Sequence, residues 1–596
     1  MIELIITNRL HQKIAGEKNL PRLISMRPLT KKEIAFARKL GIRRFYLPSL
    51  TETQSVEFLR EFDNFWNQVV QPFGSDHPFW RNVASSKMQE WESSTAYFAL
   101  MLFTLAQKST KESQFIVIVC SSIEEEDLCE EWGKKIGCKV FRRPYLSFPY
   151  WSRRIIQEIM NLKNFLYMFR ICLYKKWFSP RYKPKSLEIN KQILIISLFY
   201  NNCFKNGEYR DHFFGNLHNI IRQNGHSVSY LCGPLDEFRE ATKKVRNCSE
   251  VSILVPYSII SWCELIVLML KVFMRRVRFT RSNFFGLDFS RLITWNARRF
   301  EYFFNIDSEI YYKAVMNLYK KEPFDKLIQL FEGNVFERAC IQAFRKNSSG
   351  LIVGYSHAVV FPLNLKIRLT DGEKNRRPEP DFLVSTGPES KRLMVKVGKR
   401  ESTRIYSACS LRYIPISDIT RTEGTPQLNI LVALDGVGAT VTVLDWLFEN
   451  AETLKDYKVK LRAHPNVPIN TLLNQCLYDI PDNFFLSDGD LKTDIENSFC
   501  VIYRQTSVGI QALMNGVPVI HLYVDAPLPC DPMMNLKASK WPVSTIEELL
   551  TALQEIHSLG EKDNRAFIEV AKIYAKDYFT VADKNNVMGF FGEKNA

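Results

Sequence analysis

The sequence predicts an α/β protein in which two Rossmann-like domains stand in series and face one cleft. A smaller α/β region and a basic helix precede them. Three observations predict this. Short apolar runs of strand length alternate with helical segments over residues 191–426, and the alternation repeats over 427–580. Several of the runs end in polar or glycine-containing turns, as in "LFEGN" and "ALDGVG". Turns at the carboxyl ends of parallel strands are where ligands bind in such folds, so two blocks in series imply a shared cleft.

The elements can be justified in order. Residues 1–147 carry the apolar runs Leu4-Ile5-Ile6, Phe45-Tyr46-Leu47 and 115–119 among helical stretches, which reads as a small α/β region. Residues 148–190 hold a basic amphipathic helix and the linker "SPRYKPKSLE", whose prolines break helix. The block 191–426 opens on the strand "ILIISLFYNN", followed by a helix at 213–223 and a strand at 226–231. A strand at 327–330 leads to an acidic turn at Glu332, then a helix, a strand at 351–355 and another in "PDFLVSTG". The block 427–580 begins with strand, glycine-rich turn and helix in "LNILVALDGVGATVTVLDWLF", and "YKVKLRAHP" is its next strand. In "VIYRQTSVGIQALMNGVPVIHLY" an apolar strand, a hydroxyl pair, a helix at 508–514, a capping Gly516 and a further strand succeed one another. A helix at 564–578 is expected to pack back across the cleft, leaving 581–596 as a tail.

Composition narrows the function classes. At 46% hydrophobic and 24% charged, the 596 residues can bury large cores and are not a disordered chain. Thirteen cysteines without a C-x-x-C pair point to reduced thiols in the cytosol and away from structural zinc. "MIELIITNRL" lacks the pattern of a signal peptide. There is no P-loop and no G-x-G-x-x-G, so neither an ATPase nor a dehydrogenase is indicated. The net charge is +16, and residues 151–185 hold nine Lys or Arg against one acid, Glu158. That helix, and the apolar run 258–270 before Arg275-Arg276, suit either an anionic membrane surface or a core helix with a solvated basic face. No nucleic-acid-binding signature accompanies the charge.

His464-Pro465 ends the strand 458–461, which places an imidazole at the ligand edge of a sheet with Arg462 beside it. Gln505, Thr506 and Ser507 stand at the next such edge, where a helix N-terminus suits a phosphate or a hydroxyl simply caps the helix. Asp435 either caps its turn or acts as a base, while Gly436 and Gly438 let backbone approach a phosphate. Glu332, His357 and Asp211 are the other candidates for a general base. In "SDGD", Asp490 reads better as a helix N-cap than as a metal ligand, since no further carboxylate completes an oxygen shell.

Over roughly 320–525 the chain resembles GT-B glycosyltransferases that use CMP-activated acidic sugars, namely bacterial sialyl- and polysialyltransferases and capsule Kdo transferases. The likeness rests on the His-Pro motif and the Thr506-Ser507 pair, and on "GYSHA", which is similar to the G-Y-Q-H-G of surface-carbohydrate proteins with Ser356 and Ala358 substituted. CDP-glycerol glycerophosphotransferases share a similar site. The resemblance implies that His464, Thr506 and Ser507 hold the CMP of a nucleotide-sugar donor, with no cofactor and no metal. It also implies a glycan or lipid-linked glycan acceptor and a place in O-antigen or capsule synthesis, in the cytoplasm or at the inner membrane. Sialyltransferases carry an acidic pair before glycine that supplies their base, and here only Asp435-Gly436 remains. A non-catalytic scaffold of a carbohydrate assembly complex is the third reading.

Overall fold

The computed structural model describes residues 2–7, 22–85, 87, 95–107, 114–142, 149–182, 192–205, 208–275, 277, 279–299, 304–412, 428–436, 440–465, 467–559 and 561–592. Three large sheets follow one another, and every pairing within them is parallel; two short antiparallel ribbons, at 204–209 and 283–288, stand apart from them. The first takes β1 (Ile2–Thr7), β2 (Arg22–Ser25), β3 (Arg43–Arg44), β4 (Gln114–Val119) and β5 (Lys139–Arg142), in the order β3-β2-β4-β1-β5. The second takes β6 (Gln192–Phe199), β7 (Ser227–Pro234), β8 (Ser252–Leu254), β9 (Lys326–Leu330), β10 (Leu351–Ser356), β11 (Phe382–Ser385) and β12 (Ile405–Ser407), in the order β8-β7-β6-β9-β10-β11-β12. The third takes β13 (Asn429–Ala433), β14 (Lys458–Arg462), β15 (Phe484–Leu486), β16 (Cys500–Tyr503), β17 (Val519–Leu522) and β18 (Lys540–Val543), in the order β15-β14-β13-β16-β17-β18.

The second and third sheets share one logic. The chain starts at a central strand, adds two strands to one side, then crosses over and continues on the other. That reversal opens a crevice beside the first strand, outside the carboxyl ends. The strands are continuous apolar runs because both faces are covered, and β6 is buried at nearly every position. The two Rossmann-like domains expected from the sequence are therefore present, and the N-terminal region is a third parallel α/β unit.

The helices used below are α1 (Tyr150–Phe178), α2 (Trp262–Met274), α3 (Phe304–Lys321), α4 (Val335–Arg345), α5 (Thr440–Glu449), α6 (Val508–Met514) and α7 (Glu561–Tyr578). α2 starts later than the apolar run 258–270 suggests, because Ser261 and Glu264 form a capping box. α6 has the bounds expected, and Gly516 takes the left-handed φ of 68° just past its end. The helix expected at 213–223 begins only at Leu217. The Asp211 carboxylate accepts the N–H groups of Phe213 and Phe214 at 2.8 Å each, which holds 211–215 as a turn.

Contacts among the described residues that join the units include the following. The 277–293 segment adds Phe284, Phe289 and Leu292 to the aromatic core around Phe58, Phe62 and Trp66 of the N-terminal unit. α7 packs on α6 of the third unit and on the Pro388–Lys396 helix of the second, with Thr386 Oγ1 donating to Tyr578 O at 2.9 Å. Residues 581–592, set apart above as a tail, return to the second unit and bury Val587, Phe590 and Phe591 in its core. The linker residues 183–190 lie outside the described part.

Candidate functional site

A cavity of about 670 Å³ lies between the second and third sheets. Its walls include Leu198 and Leu330 from β6 and β9, and Asp435 and Gln505 just beyond β13 and β16. Both reversals of strand order therefore open into one space.

On the third unit's side, Asp435 is buried and accepts hydrogen bonds from the Thr440 hydroxyl and from Arg504 Nη1 at 3.3 Å. Arg504 Nη2 also donates to Asp525 O at 2.9 Å. Asp435 thus braces the start of α5 and is neutralised by a buried guanidinium. Gly436 has a steric reason: a Cβ there would stand 2.8 Å from His464 Nδ1. The imidazole of His464 is laid against that backbone, and Pro465 follows it along the wall. Burial, then the charge of Arg412, lowers the His464 pKa, with Asp435 and Glu332 pulling the other way. Gln505 is 7% exposed, lines the cavity, and neither atom of its amide has a hydrogen-bond partner. A buried, doubly unsatisfied amide is costly unless a ligand completes it. Thr506 and Ser507 also line the cavity; Thr506 Oγ1 accepts from Val508 N at 3.4 Å, and Ser507 makes no side-chain cap to α6.

On the second unit's side, Glu332 follows β9 in a tight turn at Gly333, whose φ is 83°. A side chain at Gly333 would meet the Lys366 carbonyl oxygen at 2.6 Å. The buried carboxylate of Glu337 gathers this turn by accepting the N–H groups of Glu332, Gly333 and Asn334 at 3.0, 2.9 and 2.9 Å. Glu332 Oε1 lies 2.9 Å from His357 Nε2, and its Oε2 lies 3.5 Å from Lys366 Nζ. Burial raises the Glu332 pKa, but the charges of Lys366 and His357 and hydrogen bonds from His357 and Asn334 outweigh it. The carboxylate is held well below the usual range. His357, just past β10, packs edge-on to Phe213 with ring centroids 4.6 Å apart. The side chain of Glu332 is 26% exposed and that of His357 only 4%, so the carboxylate is the more reachable of the two.

Glu332, His357, Asp435, Gly436, His464, Pro465, Gln505, Thr506 and Ser507 all line this one cavity. Arg462 does not. Its guanidinium turns to Asp494 at 2.6 Å and to Gly489 O at 2.8 Å, so the fixed charge expected beside His464 is paired with a carboxylate outside the cavity. Asp211 is corrected as a base candidate: Ser197 Oγ at 3.0 Å, Tyr209 OH at 2.7 Å and two backbone N–H groups enclose it as the anchor of a turn. Gly438 lies outside the described residues. Asp490 caps its helix by accepting from Thr493 N at 2.9 Å. Among the described residues no group of three His, Cys, Asp or Glu side chains is placed to hold a metal ion.

Sequence reasoning missed His212, Lys366 and Arg412, which share the cavity. The turn anchored by Asp211 presents His212, whose pKa is pulled down to about 3 by burial, then by the charges of Arg412, His357 and His464. An Asp two residues ahead of an aromatic pair was the available signal for that turn. Lys366 comes from a single 3-10 turn, Leu365–Ile367, and Arg412 from a bend, both too short for spacing to carry information. The cavity therefore combines two cations, three imidazoles, the carboxyl groups of Glu332, Glu337 and Asp435 and an open amide, a set in which Lys366 and Arg412 can meet an anion and Gln505 a polar neutral portion.

No family model matches the chain, and no curated protein matches it. Solved structures align over about two thirds of its length. A glycosyltransferase from Rickettsia africae is 12% identical and covers 68% of this chain and 100% of its own, with a TM-score of 0.38. The lipopolysaccharide outer core galactosyltransferase WaaB is 11% identical, covering 67% and 98%, also at 0.38. A UDP-N-acetylglucosamine 2-epimerase is 9% identical, covering 69% and 98%, again at 0.38. At these scores the likeness assigns neither family nor activity.

Proposed function

We propose that this protein is a GT-B glycosyltransferase of bacterial surface-polysaccharide synthesis, with a CMP-activated acidic sugar, sialic-acid-like or Kdo, as donor. The observation that carries the reading is the shared cavity, where Gln505, Thr506, Ser507 and His464 face Glu332 and His357 across the two strand-order reversals. The third unit takes the nucleotide. The unsatisfied amide of Gln505 can both donate to and accept from the cytidine, and His464 and the hydroxyl pair meet the phosphate. The donor carries a phosphate and a carboxylate, and Lys366 and Arg412 supply two cations to meet them. The second unit takes the glycan or lipid-linked glycan acceptor.

In the transfer, Glu332 accepts the proton of the acceptor hydroxyl. The freed oxygen bonds to the anomeric carbon as the bond from that carbon to the phosphate oxygen breaks, and CMP leaves with the electron pair. Lys366, Arg412 and His464 stabilise the departing phosphate. A carboxylate held as low as Glu332 is a weak base. A donor anion at Lys366 draws on the same positive charge and raises its basicity, which couples proton removal to donor binding. His357 fixes the carboxylate's orientation and is a positioning residue. A non-catalytic scaffold would be favoured if Glu332, His357 and Asp435 stood away from the cleft, and their shared cavity weighs against it.

A donor screen tests the proposal: CMP-sialic acid, CMP-Kdo, CDP-glycerol and UDP-glucose are compared for nucleotide release in the presence of acceptor glycan. Release from a CMP-sugar is expected. Release from CDP-glycerol alone would make the protein a phosphotransferase, and release from UDP-glucose alone would overturn the donor assignment. His464→Ala is expected to weaken CMP binding about ten- to a hundredfold, the cost of one hydrogen bond to a charged group. Gly436→Ala forces the imidazole away and is expected to act in the same direction with the fold intact. Calorimetric titration with CMP reads both, and unchanged affinity in either variant would remove His464 from the donor site.

A further inference from the structure

Two helices leave broad apolar faces uncovered. On α1, Trp151, Ile155, Ile159, Leu162, Leu166 and Trp177 recur at helical spacing on the outer side, with Trp151 65% and Trp177 73% exposed. The inner side of α1 holds Asn161, Phe165 and Cys172. On α2 the outer side carries Ile266, Val267, Leu270, Phe273 and Met274, the last 62% exposed. The two faces are one patch. Phe165 of α1 meets Phe273 of α2 with ring centroids 4.6 Å apart, and Trp177 meets Trp262 at 6.4 Å. Lys176 Nζ donates to the carbonyls of Tyr257 and Ile260 at 2.9 and 2.6 Å, which locks the end of α1 to the turn before α2.

The patch is framed in positive charge. Lys163, Arg170 and Lys271 are exposed beside the apolar residues. At the tryptophan end an open cavity of about 1090 Å³ is lined by Arg181, Arg246, Lys313, Lys320 and Lys321. Its acid, Glu264, is engaged by Lys313 at 3.0 Å.

We propose that this α1–α2 face docks on an anionic phospholipid bilayer. The apolar side chains enter the interfacial layer, the tryptophans sit at headgroup level, and the basic cavity takes headgroup phosphates. Charge selects this occupant. In a twofold dimer the patch meets itself and sets these cations against each other. No helix among the described residues is long and apolar enough to cross a membrane. The face also stands beside the cavity of the candidate site: Tyr174 of α1 donates to Glu237 at 2.6 Å, two residues beyond Leu235 of the cavity wall. The proposal does not depend on the donor assignment.

The test floats the full-length protein with phosphatidylcholine vesicles, with and without phosphatidylglycerol, at low and high salt. Binding to the anionic vesicles, weakened by salt, is expected. Lys320→Gln with Lys321→Gln should weaken it about fivefold per charge. Leu166→Asp with Leu270→Asp should abolish it, with the circular dichroism spectrum unchanged. Quenching of tryptophan fluorescence by lipids brominated near the headgroup gives a readout on the parent protein alone. Absent flotation at low salt, equal binding to neutral vesicles, or absent quenching would each overturn the proposal. So would a concentration-dependent dimer that Leu166→Asp with Leu270→Asp dissociates.

Discussion

Glu332→Gln is expected to lower kcat about a hundredfold or more, the usual size of a general-base contribution, while CMP binds at least as tightly as in the parent, because Lys366 no longer shares its charge with a carboxylate. Glutamine keeps the shape and its contacts to Asn334 and Lys366 but cannot take a proton. Glu332 belongs to the second unit, across the cavity from Gln505 and His464. Its charge is held on by Lys366 and His357, so the acid limb of kcat/KM should lie below the ordinary glutamate value of 4.5. Removing one of those supports moves the limb: His357→Asn should shift it upward while costing less in kcat than Glu332→Gln. That shift separates a positioning role from a purely structural one. Asp435→Asn is the matched control. Asp435 is tied to Arg504 and Thr440, so its loss should lower stability more than it changes the pH profile. A large loss of turnover in Asp435→Asn with Glu332→Gln nearly active would transfer the base to the Asp-Gly turn.

Glu373→Gln is expected to cost about 3–5 kcal/mol of stability, the usual penalty for breaking a buried ion pair by removing one partner. Glu373 is fully buried where the N-terminal unit meets the second unit. It accepts from Lys87 Nζ at 2.7 Å, Trp66 Nε1 at 3.1 Å, Arg377 Nη1 at 3.3 Å and Thr370 N at 2.9 Å. Burial raises its pKa, and Arg377 and Lys87 more than reverse that, bringing it to about 2 from 4.5. A carboxylate lowered in the folded state stabilises the fold above its unfolded value. That contribution, about 3 kcal/mol at about 1.4 kcal/mol per unit, is lost as the pH falls from about 4.5 through 2. The variant leaves two buried cations facing an amide. Lys87, whose pKa burial and then the Arg377 charge already bring to about 7, is left to deprotonate. Urea unfolding followed by tryptophan fluorescence should show a large deficit at neutral pH that narrows toward pH 2. A deficit of the same size at every pH would place the effect in packing.

Local chemistry made much of the fold legible. The strand β16, the hydroxyl turn, α6 and Gly516 are specified within one short stretch, where apolar period, helix length and a left-handed glycine all agree. His464-Pro465 was legible because proline ends a strand at the ligand edge. What escaped depends on partners distant in sequence. Arg462 is paired with Asp494, and spacing could not announce that contact. Asp211 looks like an acid ahead of a helix, yet it spends its lone pairs on two backbone N–H groups, a serine and a tyrosine. The first sheet pairs β1 with β4 across helices that give no register signal. The crossing of 277–293 into the N-terminal core follows from Phe284 and Phe289 finding Phe58 and Phe65, a match that only the packed structure displays.

The central claim is that one cavity between the second and third units binds the nucleotide of the donor beside its base. A crystal structure of the protein soaked with CMP tests it most directly. The account predicts CMP in that cavity, with its polar groups on the Gln505 amide and its phosphate on His464 and the Thr506-Ser507 pair, on the wall opposite Glu332. CMP bound elsewhere, or a cavity left unoccupied at saturating CMP with Gln505 still unsatisfied, would contradict it.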